Sequence, residues 1–272
     1  MSLLEETKRL LRRYRIFPKK RLSQHFTVDP FIFRLMAEYA ALTSNDVVLD
    51  VGAGFGFLTR YLAGKCQGVL AVELDHKVAA ALRALLRDLP NAVVVEGDVF
   101  KVQLPSFNKV VAIPPYGISS HLVEWLFSKP IECAVFVLQK EFAQRLVAPV
   151  GSKNYSWLTV LTYYYFEVEL LDEVPRHAFY PPPKVDSIIV LLKPKRPRPF
   201  QVNSEEKFKR FVQTLFTQRN KKVRNAIWVF AKKECNLAGR NMQTGVSIPF
   251  QDRRVRELAP EDFGVLVNVF AS

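Results

Sequence analysis

Between residues 46 and 139 the chain repeats one pattern, a short unbroken apolar run followed by helical spacing. The runs are DVVLDVG (46–52), GVLAVELD (68–75), AVVVEGD (92–98), KVVAIP (109–114) and CAVFVLQ (133–139), and LTRYLAGK (58–65) and HKVAAALRALLRDL (76–89) are helical stretches between them. A strand wetted on one face alternates polar and apolar residues, so runs that are apolar throughout predict strands covered on both faces. Parallel strands connected by helices give that covering, and the sequence therefore predicts a doubly wound α/β sheet with helices on both faces.

Beyond the repeat, YYYFEVELLDEV (163–174) and SIIVLLKP (187–194) read as two more strands able to pair as an antiparallel edge. The prolines of the intervening AFYPPPKVD (178–186) can continue neither. KPKRPRP (193–199) reads as a linker, and EEKFKRFVQTLFTQRNKKVRNAIWVFAKKE (205–234) and PEDFGVLVNVFA (260–271) have helical spacing. The expected organisation is a domain over 1–194 that carries a basic N-terminal arm, and a small helical, RNA-binding domain over 195–272.

Charge supplies the first functional clue. The net charge is +13, and Lys8, Arg9, Arg12, Arg13, Arg15, Lys19, Lys20 and Arg21 follow one another without an intervening acid. Lys207, Lys209, Arg210, Arg219, Lys221, Lys222 and Arg224 form a second group, and two such clusters predict a polyanionic partner, RNA above all. Arg12, Arg13, Lys19 and Lys20 in the arm and Arg219, Lys221, Lys222 and Arg224 in the C-terminal part are the candidate contacts. Cys66, Cys133 and Cys235 are odd in number and far apart, which suits reduced thiols better than disulfides, and the four histidines show no metal-ligand spacing. No run approaches the roughly 20 apolar residues of a membrane span, and the N-terminal stretch lacks the apolar core of an export signal, so a soluble, cytoplasmic protein is expected.

The first strand ends in Gly52-Ala-Gly54-Phe-Gly56, and helical spacing begins directly after it. Glycines there let the backbone turn sharply and approach a ligand, with free helix amides beyond. The next strand ends in Glu73, about 20 residues on, where doubly wound folds place an acid on ribose hydroxyls, and a third ends in Gly97-Asp98. Three successive strand ends thus carry nucleoside chemistry, and the G-x-G-x-G spacing favours S-adenosylmethionine over a nicotinamide dinucleotide.

At this point the chain resembles the KsgA-type small-subunit rRNA adenine dimethyltransferases, S-adenosylmethionine-dependent enzymes of the Rossmann-like class. The resemblance runs through Leu22-Ser-Gln-His-Phe26 with Asp29, VLDVGAGFGFLT (48–59), VELD (72–75), EGDVF (96–100), PPYGISS (114–120), QKEFAQRLVA (139–148), GSKNYSWLTVL (151–161), AFYPPPKVDS (178–187) and LFTQRNKKVRNAI (215–227). It implies that Gln24 and His25 close over the methionine part of the cofactor and that Gly52, Gly54 and Gly56 pass beneath it. It further implies that Glu73, with Leu74 beside it, holds the ribose, that Asp98 holds the adenine amine and that Val99 covers the adenine face. The expected reaction is dimethylation of adenine amines in small-subunit rRNA during ribosome biogenesis, by a chain acting as a monomer on the RNA or on an immature subunit.

The catalytic motif of that family resembles Asn/Asp-Pro-Pro-Tyr and reads Ile113-Pro114-Pro115-Tyr116 here. By the resemblance, the first residue's side-chain oxygen and a backbone carbonyl orient the target amine while the aromatic ring stacks on the base, so Ile113 removes one acceptor and the Pro114 carbonyl and Tyr116 remain. Tyr116 and Phe179 are the expected partners of a flipped-out adenine. Loss of one such group costs roughly 10² to 10³ in rate, which predicts a slow enzyme. A ribosome-assembly factor with weak or lost catalysis stands as the alternative reading, and an enzyme with a shifted substrate as a third. Pro114 and Gly117 also depart from the family, which usually has Leu or Ile and often a polar residue there, as do Ser23, usually glycine, and Thr27, usually leucine.

Overall fold

A computed structural model describes residues 1–19, 22–234 and 248–270. The chain divides into two compact units, Met1–Ala143 with Val168–Pro194, and Gln144–Glu167 with Lys195–Ser272. The division at 194 is thus joined by two further crossings, after Ala143 and after Glu167, because Gln144–Glu167 joins the C-terminal segment.

In the first unit, helix α1 (Leu3–Arg13) is followed by strand β1 (Phe26–Thr27) and helix α2 (Pro30–Tyr39). The repeat then supplies β2 (Val47–Val51), α3 (Phe57–Ala63), β3 (Gly68–Glu73), α4 (His76–Leu86), β4 (Ala92–Glu96), β5 (Lys109–Ala112), α5 (Ser119–Leu126) and β6 (Cys133–Gln139). Helix α6 (Lys140–Leu146) follows, and after helix α7 (Trp157–Tyr165), which belongs to the second unit, come β7 (Phe166–Val174), β8 (Phe179–Tyr180) and β9 (Ser187–Pro194). Among the described residues, a seven-stranded sheet has the order β4-β3-β2-β5-β6-β9-β7, with β4 to β6 parallel and β9 antiparallel to β6.

This mixed sheet is the predicted α/β layout, and no described helix is long and apolar enough to cross a membrane. The strand order reverses between β2 and β5, the crevice where ligands bind in open α/β sheets. Buried side chains from α2, α3 and the strands, among them Met36, Leu62, Val111 and Val135, pack one face. The β2 strand buries Val48, Leu49 and Val51 almost completely, which explains its lack of alternation.

Two local features differ from the sequence expectation. Leu3–Arg13, which carries part of the basic N-terminal arm and has no helix among the sequence expectations, forms an amphipathic helix whose Ser2–Glu5 capping box starts it and whose Leu10 and Leu11 are buried. Tyr163, Tyr164 and Tyr165, read as the start of a strand, finish α7, since Thr159 Oγ1 accepts from the Ser156 amide at 3.1 Å to cap it and Tyr164 and Tyr165 are buried. Aromatic runs favour strands on average, and tertiary burial overrides that preference here.

In the second unit α7 is accompanied by α8 (Glu205–Phe216), α9 (Val223–Glu234) and α10 (Pro260–Phe270). The helical stretch 205–234 is therefore two helices, interrupted at 217–222. Phe208, Phe211, Leu215 and Phe263 are fully buried, and the Tyr155 hydroxyl donates to the Leu258 carbonyl at 2.8 Å. Cys66 and Cys133 are buried free thiols, while Cys235 lies outside the described residues.

Candidate active site

Glycine is required where β2 turns into α3. Gly52 has φ +74°, and a Cβ there would stand 2.6 Å from Pro115 Cδ, so the loop and the proline pair touch only because no side chain intervenes. Gly56, φ +78°, caps α3, and a Cβ on it would meet Leu82 of α4 at 2.5 Å. Gly52 and Gly54 line the cavity at the switch point, whereas Gly56 sets helix packing and does not line it.

The cavity has a volume of about 220 Å³ and joins six stretches remote in sequence. Gln24 and His25, Gly52 and Gly54, Glu73 and Leu74, Asp98 and Val99, Ile113 to Tyr116, and Phe179 all line it. All of the residues expected at the cofactor and base, apart from Gly56, therefore meet in one place.

Glu73 is buried at the end of β3, with Oε2 accepting from the Gly54 amide at 3.0 Å and Oε1 from the Asp75 amide at 2.8 Å. Burial pushes its carboxyl up despite those amides. Each oxygen keeps a lone pair for a further donor. Asp98 accepts from the Phe100 amide at 3.1 Å, and Val99, 5% exposed, lies beside it. Within β2, Asp50 is buried and accepts from Thr59 Oγ1 at 2.7 Å, and burial raises its carboxyl to about 7.

Asp75 gathers the N-terminal segment. Its Oδ2 takes Lys19 Nζ at 2.6 Å and Gln24 Nε2 at 3.2 Å, while Oδ1 takes the Lys77 amide at 3.1 Å and caps α4. Burial alone would raise this carboxyl, but the hydrogen bonds from Lys19 and Gln24 outweigh it and hold the group below the usual carboxylate range. Gln24 Oε1 also accepts from the Lys19 amide at 2.8 Å, so this side chain ties the segment down while lining the cavity. Because a carbonyl can only accept, His25 Nδ1 donates to the Pro181 oxygen at 2.7 Å. Strand β1 pairs antiparallel with β8, Phe26 opposite Tyr180 and Thr27 opposite Phe179, and brings the Gln-His-Phe element to the proline-rich loop.

Ile113 follows the last residue of β5, lines the cavity and packs on the apolar cluster to which Phe179 belongs. The Pro114 carbonyl accepts no hydrogen bond from any described residue. The half-buried Tyr116 ring lies 5.8 Å from that of His25, and its hydroxyl is 2.6 Å from Ser187 Oγ. Phe179 is only 2% exposed and forms a wall of the cavity. Ser187 was not singled out from the sequence, where its place in the F-Y-P-P-P-K-V-D-S stretch was the available signal.

The donor set discriminates among cofactors. Among the described lining residues the charged groups are two carboxylates, Glu73 and Asp98, with no lysine or arginine. Such a site repels a pyrophosphate and suits a cationic sulfonium nucleoside, with acceptors for hydroxyls and an amine beside the apolar Val99 and Ile118.

The expected RNA contacts separate. Arg12 and Arg13 are exposed on α1, Lys19 is committed to Asp75, and Lys20 lies outside the described residues. In the second unit Arg219 donates to the carbonyls of Lys153 and Ser152 at 3.0 and 3.1 Å. Lys222 and Arg224 share Asp252 at 3.1 and 2.5 Å, and Lys221 is exposed.

Comparison with known proteins agrees with this geometry. The family model described as ribosomal RNA adenine dimethylase matches residues 17–263. A probable ribosomal RNA small subunit methyltransferase A of Methanopyrus kandleri is 42% identical over 85% of this chain and 84% of its own. One of Pyrococcus abyssi is 37% identical over 93% of this chain and 92% of its own. Among solved structures, a dimethyladenosine transferase from Plasmodium falciparum is similar with a TM-score of 0.75 and 31% identity, covering 91% of this chain and 98% of that one. The 23S rRNA methyltransferase ErmE is similar with a TM-score of 0.64 and 30% identity, covering 91% and 100%.

Proposed function

The chain belongs to the ribosomal RNA adenine dimethylase family, and from that premise we propose how its own residues carry S-adenosylmethionine-dependent dimethylation of adenine amines in small-subunit rRNA. The observation that carries the reading is the convergence of six sequence-remote stretches on one cavity at the switch point of the sheet. The Glu73 carboxylate, oriented by the Gly54 and Asp75 amides, accepts the ribose hydroxyls, while Asp98 accepts the adenine amine of the cofactor beside Val99. Gln24 and His25 close the opposite wall, held there by Asp75 and the Pro181 carbonyl. The cofactor supplies a methyl group activated by its sulfonium.

An adenine amine is a poor nucleophile because its lone pair is delocalised into the ring. The Pro114 carbonyl accepts one of its hydrogens and turns the lone pair out of conjugation, and Tyr116 stacks on the base with Phe179 behind it. Positioning and stabilisation of positive charge on the nitrogen then account for the chemistry. Ile113 supplies shape and no acceptor, so the second hydrogen lacks a side-chain partner and the rate is reduced. The protein acts as a cytoplasmic monomer on immature small subunits, with exposed cations of both units meeting RNA phosphates.

Labelled methyl transfer to small subunits that lack the modification, followed by nucleoside mass spectrometry, tests this reading. Dimethyladenosine is the expected product. Bound cofactor and bound subunits without any methylated nucleoside would overturn catalysis and leave an assembly factor.

A further inference from the structure

Strand β8 has two residues and two faces. Phe179 lines the cofactor cavity, and Tyr180, pointing the other way, lines a separate open groove against α1. A third cleft is lined by both residues together with Lys8, Arg176 and the acidic Asp186. The groove itself is lined by Lys8, Arg12 and Arg15, by Phe17 and by Tyr180, and none of its lining residues is acidic. Lys8 Nζ sits 5.3 Å above the Tyr180 ring.

Two properties of this groove are costly for a folded protein left alone. Phe17 is 81% exposed, although an apolar ring of that size is ordinarily covered. Lys8 and Arg12 are one helical turn apart on α1, like charges at a destabilising spacing, and among the described residues neither Arg12 nor Arg15 has an ion-pair partner. Arg15 has φ +50°, a left-handed turn that carries the chain from the end of α1 to Phe17. An aromatic platform amid unneutralised cations is what an unpaired nucleic acid strand requires, with phosphates on the cations and a base on the ring.

We propose that the groove formed by α1, Phe17 and Tyr180 binds the unpaired RNA strand next to the target adenine, with a flanking base stacked on Phe17. The strand passes the β8 edge between the two sites, so that an adenine beside Phe179 and its neighbour on Phe17 belong to one backbone. This rests on the function proposed above and adds a recognition surface to it.

Binding of unmodified small subunits by the full chain, measured at several salt concentrations, tests the proposal in parallel with S-adenosylmethionine affinity. Phe17→Ala weakens subunit binding about tenfold and Phe17→Trp restores it. The triple change Lys8→Gln, Arg12→Gln and Arg15→Asn lowers the slope of log affinity against log salt by about two. Cofactor affinity stays as in the wild type in every variant, which separates lost contact from lost fold. Unchanged subunit affinity in Phe17→Ala, or an unchanged slope in the triple variant, overturns the proposal and points to an acidic protein or an anionic membrane as the occupant. Failure of the wild type to transfer methyl groups to subunits it binds sinks the enzymatic reading instead, because the binding readout does not depend on catalysis.

Discussion

The Tyr116 hydroxyl lies 2.6 Å from Ser187 Oγ, so the ring expected to stack on the target base is fastened to the first residue of β9. Ser187 is completely buried and pairs with Gln139 of β6, which makes the ring's position a property of the sheet. Burial pushes the phenol up, and it stays a neutral hydrogen-bonding group. Ser187→Ala leaves a half-buried hydroxyl without its partner, and Tyr116→Phe leaves the serine without its own. Each is expected to lower kcat/KM for methyl transfer about tenfold, a loss of roughly 1 to 2 kcal/mol. In the double variant the losses coincide instead of adding, and additive losses would show that the pair does not act as a unit.

Ile113 exchanges an acceptor for packing. Its side chain rests on the apolar cluster that includes Val111, Val137 and Phe179. Ile113→Asn is expected to raise the methyl-transfer rate by about two to three orders of magnitude, roughly the value of one preorganised hydrogen-bonding group. It should also lower stability by about 1 to 2 kcal/mol through lost burial. Single-turnover transfer and a denaturant midpoint on the same preparation read both effects. A rate that does not rise would show that another group already serves the amine.

Asp50 gives stability a specific pH dependence. Burial raises its carboxyl from an ordinary 3.8 to about 7, with Glu73 nearby adding to the shift after the Thr59 hydrogen bond opposes it. The folded state therefore favours the protonated form. The contribution of this group is complete below about pH 4 and is lost as pH rises through about 7. Asp50→Asn keeps an acceptor for Thr59 and removes the titration. Relative to wild type it should gain stability between pH 4 and pH 8, up to an order of 4 kcal/mol, in denaturant midpoints across that range. Glu73, raised by burial in the same direction, remains in both proteins, and Asp50→Asn also removes the repulsion between the two carboxylates.

The sheet was legible because runs such as VVLDV and CAVFVLQ admit one environment, and the glycine loop with Glu73 and Asp98 marked strand ends that the fold must bring together. What stayed illegible depends on partners remote in sequence. Nothing in the local pattern says that Tyr163 to Tyr165 close a helix, or that β1 and β8, two residues each, pair across 150 residues of chain. Basic residues posed the same difficulty, because charge alone does not separate an RNA contact from an internal tether. Lys19 holds Asp75, and Arg219 holds the carbonyls of Ser152 and Lys153.

That division predicts different consequences for cations of equal charge. Lys19→Met should weaken S-adenosylmethionine binding, since it frees the segment that carries Gln24, and leave the salt slope of RNA binding almost unchanged. Arg219→Gln should lower the melting temperature of the chain, its guanidinium being an internal tie, whereas the exposed Lys221→Gln should leave that temperature alone and reduce the salt slope by just under one. Calorimetry and salt-dependent binding on the three variants check the assignment. A slope that falls for Lys19→Met as much as for Lys221→Gln would return Lys19 to the RNA surface.

Ser23 and Gly117, the two departures from the family that flank the cavity mouth, face each other. Ser23 has φ +47°, the left-handed region that glycine enters freely and serine does not, and a Cβ on Gly117 would stand 3.6 Å from Ser23 Oγ. In the family pattern glycine occupies the strained position and a polar side chain often occupies the other. Here the two are exchanged. Ser23→Gly should relieve about 1 kcal/mol of backbone strain and raise the melting temperature by about 2 °C, less what the added freedom of the unfolded chain removes. Gly117→Ser meets only an ordinary van der Waals contact in the wild type and should be close to neutral. The double variant restores the family arrangement, with the strain relieved and a hydroxyl back at the mouth. Cofactor affinity should then match or exceed that of the wild type, while Ser23→Gly alone, lacking that hydroxyl, should bind S-adenosylmethionine more weakly. Equal affinity in the single and double variants would show that the hydroxyl does not matter to the closing of residues 22–26.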